Sequence, residues 1–255
     1  MLAIERRKQI IHLIESNYSV LVPELSKRFS VTEETIRRDL EKLEKENLLK
    51  RTHGGAVLKE STTDDLPFSL RKITDIDKKK QIGALGAELV NDGDTILLDS
   101  SSTALQIAGF LKAKKDITVI TNSINVVLEL SAVKDIQIIS TGGILRQYSA
   151  SFVGAWAQQM VSNYNVDKAF LSCKGIDIAK GITESNELEA EVKKIMVESS
   201  QQTILAVDST KFDQISFVKL LPFSAVHTLI TDAKPSDQWL QHLAAHHIEV
   251  IYREG

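Results

Sequence analysis

Hydrophobic positions along the chain follow two different periods. In the first sixty residues they recur at helical spacing. Ile4, Ile11 and Ile14 share one face of a first stretch, and Val22, Leu25 and Phe29 share one face of a second. Ile36, Leu40 and Leu43 fall at i, i+4, i+7 of a third. Only Ser30 and Val31 separate the second stretch from Thr32, which predicts an N-cap with Glu33 and Glu34 in the first turn behind it. After Asn47 the period shortens. Leu48-Leu49-Lys50-Arg51 and Ala56-Val57-Leu58 flank Gly54-Gly55, which predicts a β-hairpin turning on the glycine pair. Three helices and a hairpin make a winged helix-turn-helix over residues 1–59.

Residues 60–77 carry Ser61-Thr62-Thr63-Asp64-Asp65 and Pro67 without a clear period and read as a linker, with Phe68 and Arg71 docking near the second domain. Residues 78–255 then alternate short apolar runs with helical patterns. The runs are Thr95–Leu98, Ile117–Ile120, Ile136–Ile139, Ala169–Leu171, Thr203–Val207, Thr228–Ile230 and Ile248–Ile251. Helical segments between them include Thr103–Leu111, Ile124–Leu130, Glu187–Ser199 and Ser236–Ala245. Such alternation predicts an α/β domain with a mostly parallel sheet covered on both faces.

Polar residues add chemistry to both halves. On the third helix Thr35, Arg37 and Arg38 point away from the apolar stripe, and two guanidinium forks near a helix start suit guanine or phosphate. A solvated amphipathic helix would look similar, but the hairpin beside it carries Lys50, Arg51 and His53, placed to reach backbone phosphates or the minor groove of double-stranded DNA. In the second half, hydroxyls, amides and glycines come after the apolar runs. They are Asp99-Ser100-Ser101-Ser102-Thr103, Thr121-Asn122-Ser123, Ser140-Thr141-Gly142-Gly143, Ser172-Cys173-Lys174-Gly175-Ile176-Asp177 and Asp208-Ser209-Thr210-Lys211. Open α/β sheets bind ligands at the carboxyl ends of their strands, so these tails should converge on one crevice. Ser101, Ser102 and Thr103 stand where a strand gives way to a helix and suit an anion, most simply a phosphate; Lys174 and Lys211 would supply compensating charge. Each tail alone could equally be a plain N-cap.

Charge refines the picture. The chain has 255 residues and a net charge of −3, and residues 1–60 hold 12 Lys and Arg against 10 Asp and Glu. So small a surplus argues against an architectural protein that coats DNA and favours binding through a few placed contacts. Cys173 is the single cysteine, which excludes an intrachain disulfide or a cysteine-cluster metal site. No apolar run is long enough to span a bilayer, and Glu5, Arg6, Arg7 and Lys8 interrupt any signal-peptide pattern, which predicts a soluble cytoplasmic protein with no membrane partner. His242 and His246 have metal-ligand spacing, but no His-Glu-x-x-His pattern accompanies them, and a solvated helix end is the simpler account. Cys173 reads as a small buried residue at a strand end, and Trp156 and Trp239 as core or interface residues of helices.

Residues 2–58 resemble the DNA-binding domain of the DeoR family of bacterial sugar-metabolism regulators, through Glu5-Arg6, Thr35-Ile36-Arg37-Arg38-Asp39-Leu40 and Arg51-Thr52-His53-Gly54-Gly55-Ala56. The strand-end tails resemble the family's sensor domain, which is similar in fold to ribose-5-phosphate isomerase. The resemblance implies a homo-oligomer, dimer or tetramer, that binds operator DNA and is controlled by a phosphorylated sugar. By it, Ser101–Thr103 hold the phosphate, while Thr121-Asn122-Ser123, Gly142-Gly143, Lys174-Gly175-Ile176-Asp177 and Asp208-Ser209-Thr210-Lys211 line the remainder with Asp99. The family usually carries glycine where this chain has Ser101, so a Cβ enters the phosphate loop. Ser101-Ser102-Thr103 with Ser172–Asp177 and Ser185-Asn186 looks like the subgroup regulating fucose or rhamnose use, which implies a deoxyhexulose 1-phosphate effector.

The rival reading is an isomerase-like enzyme with an accessory DNA-binding domain. Asp99, Asp177, Glu187, Glu189, Asp208 and Lys211 would supply its acid–base groups. The attached winged helix makes regulation the better use of the fold, and fold by itself does not set function. No catalytic residue, metal or cofactor is expected.

Overall fold

The computed structural model describes residues 2–17, 19–46, 48–52, 54–58 and 68–253. The chain divides into two compact units, 1–64 and 65–255. The first contains α1 (Ala3–Asn17), β1 (Ser19–Leu21), α2 (Val22–Phe29), α3 (Glu33–Lys45), β2 (Leu49–Thr52) and β3 (Gly55–Leu58). Val22, Leu25 and Phe29 of α2 and Ile36, Leu40 and Leu43 of α3 meet in one core, as their spacing predicts.

The buried face of α1 differs from the expected one. Ile10 and Ile14 are buried, Ile11 is partly so, and Ile4 stands in solvent. The true stripe is Arg6, Ile10 and Ile14, each four residues from the next, and its first member is charged. Arg6 Nε lies 2.6 Å from Asp39 Oδ2 of α3, with both side chains almost fully buried. A stripe that opens on a buried ion pair is invisible to a search for apolar residues alone.

Thr32 caps α3, its Oγ1 accepting from the Thr35 N–H at 3.3 Å. The hairpin gains a third strand: β1 pairs with β3, and β3 with β2, all antiparallel. Thr52 stands opposite Gly55, so Gly55 belongs to the strand rather than to the turn. A Cβ on Gly55 would lie 1.9 Å from the Val20 carbonyl oxygen, whereas one on Gly54 would meet nothing within 4 Å. Gly55 is there for the close approach of β1.

In the second unit α4 (Phe68–Arg71) and α5 (Ile76–Glu88) precede β4 (Thr95–Leu98), α6 (Ser102–Phe110), β5 (Ile117–Thr121), α7 (Ile124–Leu130) and β6 (Ile136–Ser140). Then come β7 (Ile144–Arg146), β8 (Ser151–Val153), α8 (Ala155–Ser162), β9 (Val166–Leu171), β10 (Gly175–Asp177), β11 (Gly181–Glu184) and α9 (Glu187–Glu198). The unit closes with β12 (Ser200–Ala206), β13 (Val218–Leu221), β14 (Thr228–Ile230), α10 (Asp237–Ala245) and β15 (Glu249–Ile251). The seven predicted runs are the strands of a seven-stranded sheet, ordered β15-β14-β12-β9-β4-β5-β6, and every pairing in it is parallel.

Strand alternation covers both faces. Ile96 and Leu98 of β4 join Val119 on one side, while Leu97 joins Ile120, Ala157 and Val192 on the other. The apolar spacing does not predict the hairpin β7–β8 or the small antiparallel sheet β10-β11-β13. These strands include Arg146, Ser151, Gly175, Asp177, Gly181, Glu184 or Lys219 among their few residues, so none offers an unbroken apolar run. The expected linker is also shorter than residues 60–77. Phe68 is buried in the main core and its N–H donates to Tyr148 O at 2.9 Å, so the stretch from Phe68 onward is folded; residues 60–67 lie outside the described ones. Among the described residues no helix is long and apolar enough to cross a membrane.

Candidate functional site

The first unit presents its cations on one helix and one strand. Arg37 Nη2 lies 3.0 Å from Glu33 Oε2 and Arg38 Nε 3.3 Å from Glu34 Oε1, with the two arginine side chains 52% and 78% exposed. Ion pairs one helical turn apart in open water are worth only a few tenths of a kcal/mol, so both guanidinium groups can exchange a carboxylate for a phosphate or a guanine edge. Thr35 sits beside them at the capped end. On the wing, the backbone N–H and Nε of Arg51 donate to Glu44 at 2.9 and 2.8 Å, which holds that carboxyl below its ordinary pKa and ties β2 to α3. The Arg6–Asp39 pair, with Arg7 3.8 Å from the same carboxylate, braces α3 from behind. His53 lies outside the described residues.

In the second unit the strand order sets the β12, β9, β4, β5 and β6 tails side by side at one sheet edge. β4 is the switch point, since β5 stands on one side of it and β9 on the other. The tails divide by role. Asp99 is wholly buried and committed: Oδ1 accepts from Ser101 N–H and Oδ2 from Ser172 N–H, each at 2.9 Å, and Lys193 Nζ is 3.2 Å from Oδ2. Thr121 and Ser123 are equally out of reach, Thr121 donating to Leu98 O at 2.7 Å and Ser123 capping α7. These three side chains are committed to partners within the unit.

Ser101 takes φ −72° and ψ 154°, a conformation open to any L-residue, so the Cβ brings no strain. Its Oγ caps α6 through the Ala104 N–H at 2.9 Å, and its own N–H is spent on Asp99. The donors left over are those of Ser102 and Thr103, the first two residues of α6, whose N–H and hydroxyl groups have no hydrogen-bond partner among the described residues. Orphan donors at a helix N-terminus suit an anion.

Around that point stand Asn122, whose Nδ2 donates to Phe152 O while its buried Oδ1 lacks a partner among the described residues, and the Gly142-Gly143 turn with φ of 61° and 116°. A Cβ on Gly143 would meet Val153 O at 2.9 Å, so glycine lets the chain turn against β8. Lys174 is half-buried at the β9 tail. Asp208 is buried and accepts from Thr210. Burial opposes its charge, but Lys211, Thr210 and Lys79 prevail and keep it ionised below the usual carboxylate range. Asp177 departs from the expected lining: its carboxylate accepts from Ala179 and Lys180 N–H at 2.9 and 2.8 Å and closes the β10–β11 turn.

Several buried charges are not legible in the sequence. Lys193 Nζ reaches Glu184 Oε2 at 2.5 Å and Ser172 O at 2.8 Å. Burial disfavours both charges, yet Glu184, Asp99 and Glu189 outweigh it at Lys193, and Lys193 and Lys174 at Glu184, so the ammonium binds its proton more tightly than usual and the carboxyl less. Glu189 accepts from Ser151 Oγ at 2.9 Å, with Arg146 Nη1 3.6 Å away. The one signal for them is that Glu189 and Lys193 share the apolar stripe of α9 with Val192 and Met196. Cys173 is buried, and burial with Glu184 nearby pushes its thiol up to about 12, an inert group. Trp239 is core, Nε1 donating to Asp213, and Trp156 is 74% exposed. His242 stacks edge-on against Phe223 and beside His246.

Residues 74–233 match the model of the DeoR C-terminal sensor domain, and residues 6–62 that of the DeoR-like helix-turn-helix domain. The chain belongs to the DeoR family. Its relatives include the uncharacterized HTH-type transcriptional regulator YulB of Bacillus subtilis, 47% identical over 91% of this chain and 90% of that one. The putative aga operon transcriptional repressor of Escherichia coli O157:H7 is 33% identical over 97% and 93%, and the glycerol-3-phosphate regulon repressor of Escherichia coli K12 is 33% identical over 96% and 97%. Ribose 5-phosphate isomerase A of Methanocaldococcus jannaschii is similar at 17% identity and a TM-score of 0.40 over 55% of each chain. As a DeoR-family member the chain is a DNA-binding transcriptional regulator and not an isomerase.

Proposed function

We propose that the chain represses a carbohydrate-utilisation operon from the cytoplasm, as a dimer or tetramer, and that a phosphorylated sugar in the strand-end crevice relieves repression. Arg37 and Arg38 read bases and phosphates in the major groove, Thr35 stands beside them, and Arg51 and His53 hold the wing. The observation that carries the effector reading is the set of unpaired donors on Ser102 and Thr103 above an all-parallel sheet, with Lys174 and Lys211 at neighbouring tails. One relative is named for a glycerol-3-phosphate regulon, in keeping with a small phosphorylated ligand. Asn122 Oδ1, buried and unpartnered among the described residues, would accept a hydroxyl from such a ligand.

A thermal-shift screen of the full chain against sugar phosphates, a deoxyhexulose 1-phosphate among them, and against the matching free sugars tests this. Ligand at a hundred times its dissociation constant adds ~2.7 kcal/mol to the folded state. A rise in Tm with one phosphate ester and none with its free sugar is expected. No rise with any phosphate would remove the effector assignment and leave the DNA-binding half intact.

A further inference from the structure

Lys79 is a lysine almost without solvent, in the first turn of α5, with no part in the DNA and effector contacts proposed for the chain. Its Nζ donates to Arg71 O at 2.8 Å and to Thr74 O at 2.7 Å, the carbonyls at the end of α4 and in the turn after it. α4 and that turn are the first described residues of the second unit. The neighbouring Lys78 donates to Ser209 Oγ at 3.1 Å, so the head of α5 abuts the Asp208–Lys211 turn. Burial lowers the Lys79 pKa to about 8. Asp208 and Asp75 act to raise it, and Lys211 and Arg71 to lower it.

We propose that Lys79 is the relay residue through which occupancy of the effector crevice reaches the segment joining the two units, because its ammonium binds the α4 carbonyls while Lys78 beside it binds Ser209 of the Asp208–Lys211 turn. The proposal rests on the reading of Lys211 as an effector contact. An anion facing Lys211 offsets the positive field that this residue exerts on Lys79 and leaves the attraction of Asp208 less opposed. The ammonium then moves toward Asp208 and loosens its hold on Arg71 O and Thr74 O.

The rest of α5 cannot follow as a body. A Cβ on Gly83 would meet the Gln106 carbonyl carbon of α6 at 2.8 Å, and one on Gly86 the Ile107 side chain at 2.9 Å, so the two helices are locked together at close range. The response is therefore confined to residues 68–75. Asp75, at the head of α5, has φ 50°, a left-handed conformation that a residue with a Cβ keeps only where its surroundings impose it. A ligand moves such a switch only as far as its interaction differs between the two arrangements, and the field on Lys79 is such a difference.

The test is amide hydrogen exchange of residues 68–75 in the full chain, for the wild type, Lys211→Met, Lys79→Met and the double variant, with and without millimolar inorganic phosphate at constant ionic strength. Lys211→Met imitates the anion by removing the opposing charge and needs no ligand. It should speed exchange in residues 68–75 about tenfold, the scale of one buried charge-assisted hydrogen bond. In the Lys79→Met background it should change nothing further. An equal response in both backgrounds, or no response to Lys211→Met in the wild type, overturns the relay. If Lys79→Met fails to fold, Lys79→Arg replaces it: with its charge kept and its reach altered, it should still respond to Lys211→Met, and an unresponsive but folded Lys79→Arg overturns the proposal. A response to Lys211→Met with none to phosphate upholds the relay and removes the phosphate assignment instead.

Discussion

Lys193 Nζ and Glu184 Oε2 stand 2.5 Å apart with 6% and 2% of their side chains exposed, and this pair holds together the tails of β4, β9 and β11. Removing one partner of a buried pair leaves an uncompensated charge. Lys193→Met should cost ~3–5 kcal/mol of sensor-unit stability in denaturant titrations, and adding Glu184→Gln should recover part of it. The pH dependence has a definite sign. Glu184 has a folded pKa below the ordinary 4.5, so its contribution is present above about pH 4.5 and lost as pH falls through the folded value. Acid titration of Glu184→Gln should lack that loss; the same acid limb in variant and wild type would assign it to other carboxylates.

The two wing glycines make a matched pair for mutation. Gly55→Ala drives a Cβ into the Val20 carbonyl and should destabilise the DNA-binding unit by about 1–3 kcal/mol or more. Gly54→Ala meets open space and should stay within ~0.5 kcal/mol. Thermal unfolding of the two variants separates a close-packed strand from a turn requirement.

Arg37→Ala and Arg38→Ala remove only exposed i, i+4 pairs, so Tm should barely move. Operator affinity should fall by ~1–3 kcal/mol for a residue that reads a guanine, with relaxed specificity at that base pair. A residue that holds phosphate should instead lower the salt slope by about one. Fluorescence anisotropy at several salt concentrations distinguishes the two, and unchanged affinity in both variants would take α3 out of the groove.

Lys79 gives a second pH signature, in the opposite direction from an ordinary paired lysine. Its folded pKa of about 8 lies below the unfolded 10.5, so between these values the unfolded chain binds more protons. Wild-type stability relative to Lys79→Met should therefore rise with pH from about 8 to 10.5, by up to about 3 kcal/mol. A flat difference across that window would show an ammonium that is not desolvated in solution.

Apolar spacing in the sequence determined the winged helix-turn-helix, the seven parallel strands and the positions of the polar tails behind them, because a 3.6-residue or 2-residue period records directly which side faces a core. The α3 cations were legible for the same reason: Arg37 and Arg38 are what remains when the apolar stripe is subtracted. The tertiary structure alone decided which polar residues are free. Asp99, Ser101 and Ser102 are close neighbours in one polar run, yet Asp99 is spent on Lys193 and two backbone N–H groups and Ser101 on its helix cap, while the N–H and hydroxyl of Ser102 have no partner among the described residues. The buried charges Arg6, Lys79, Glu184 and Lys193 were hidden for one physical reason. A charged side chain looks solvated in a sequence, and it can be buried only when distant segments bring it a partner, such as Asp39 for Arg6, the α4 carbonyls for Lys79, and Glu184 with Asp99 for Lys193.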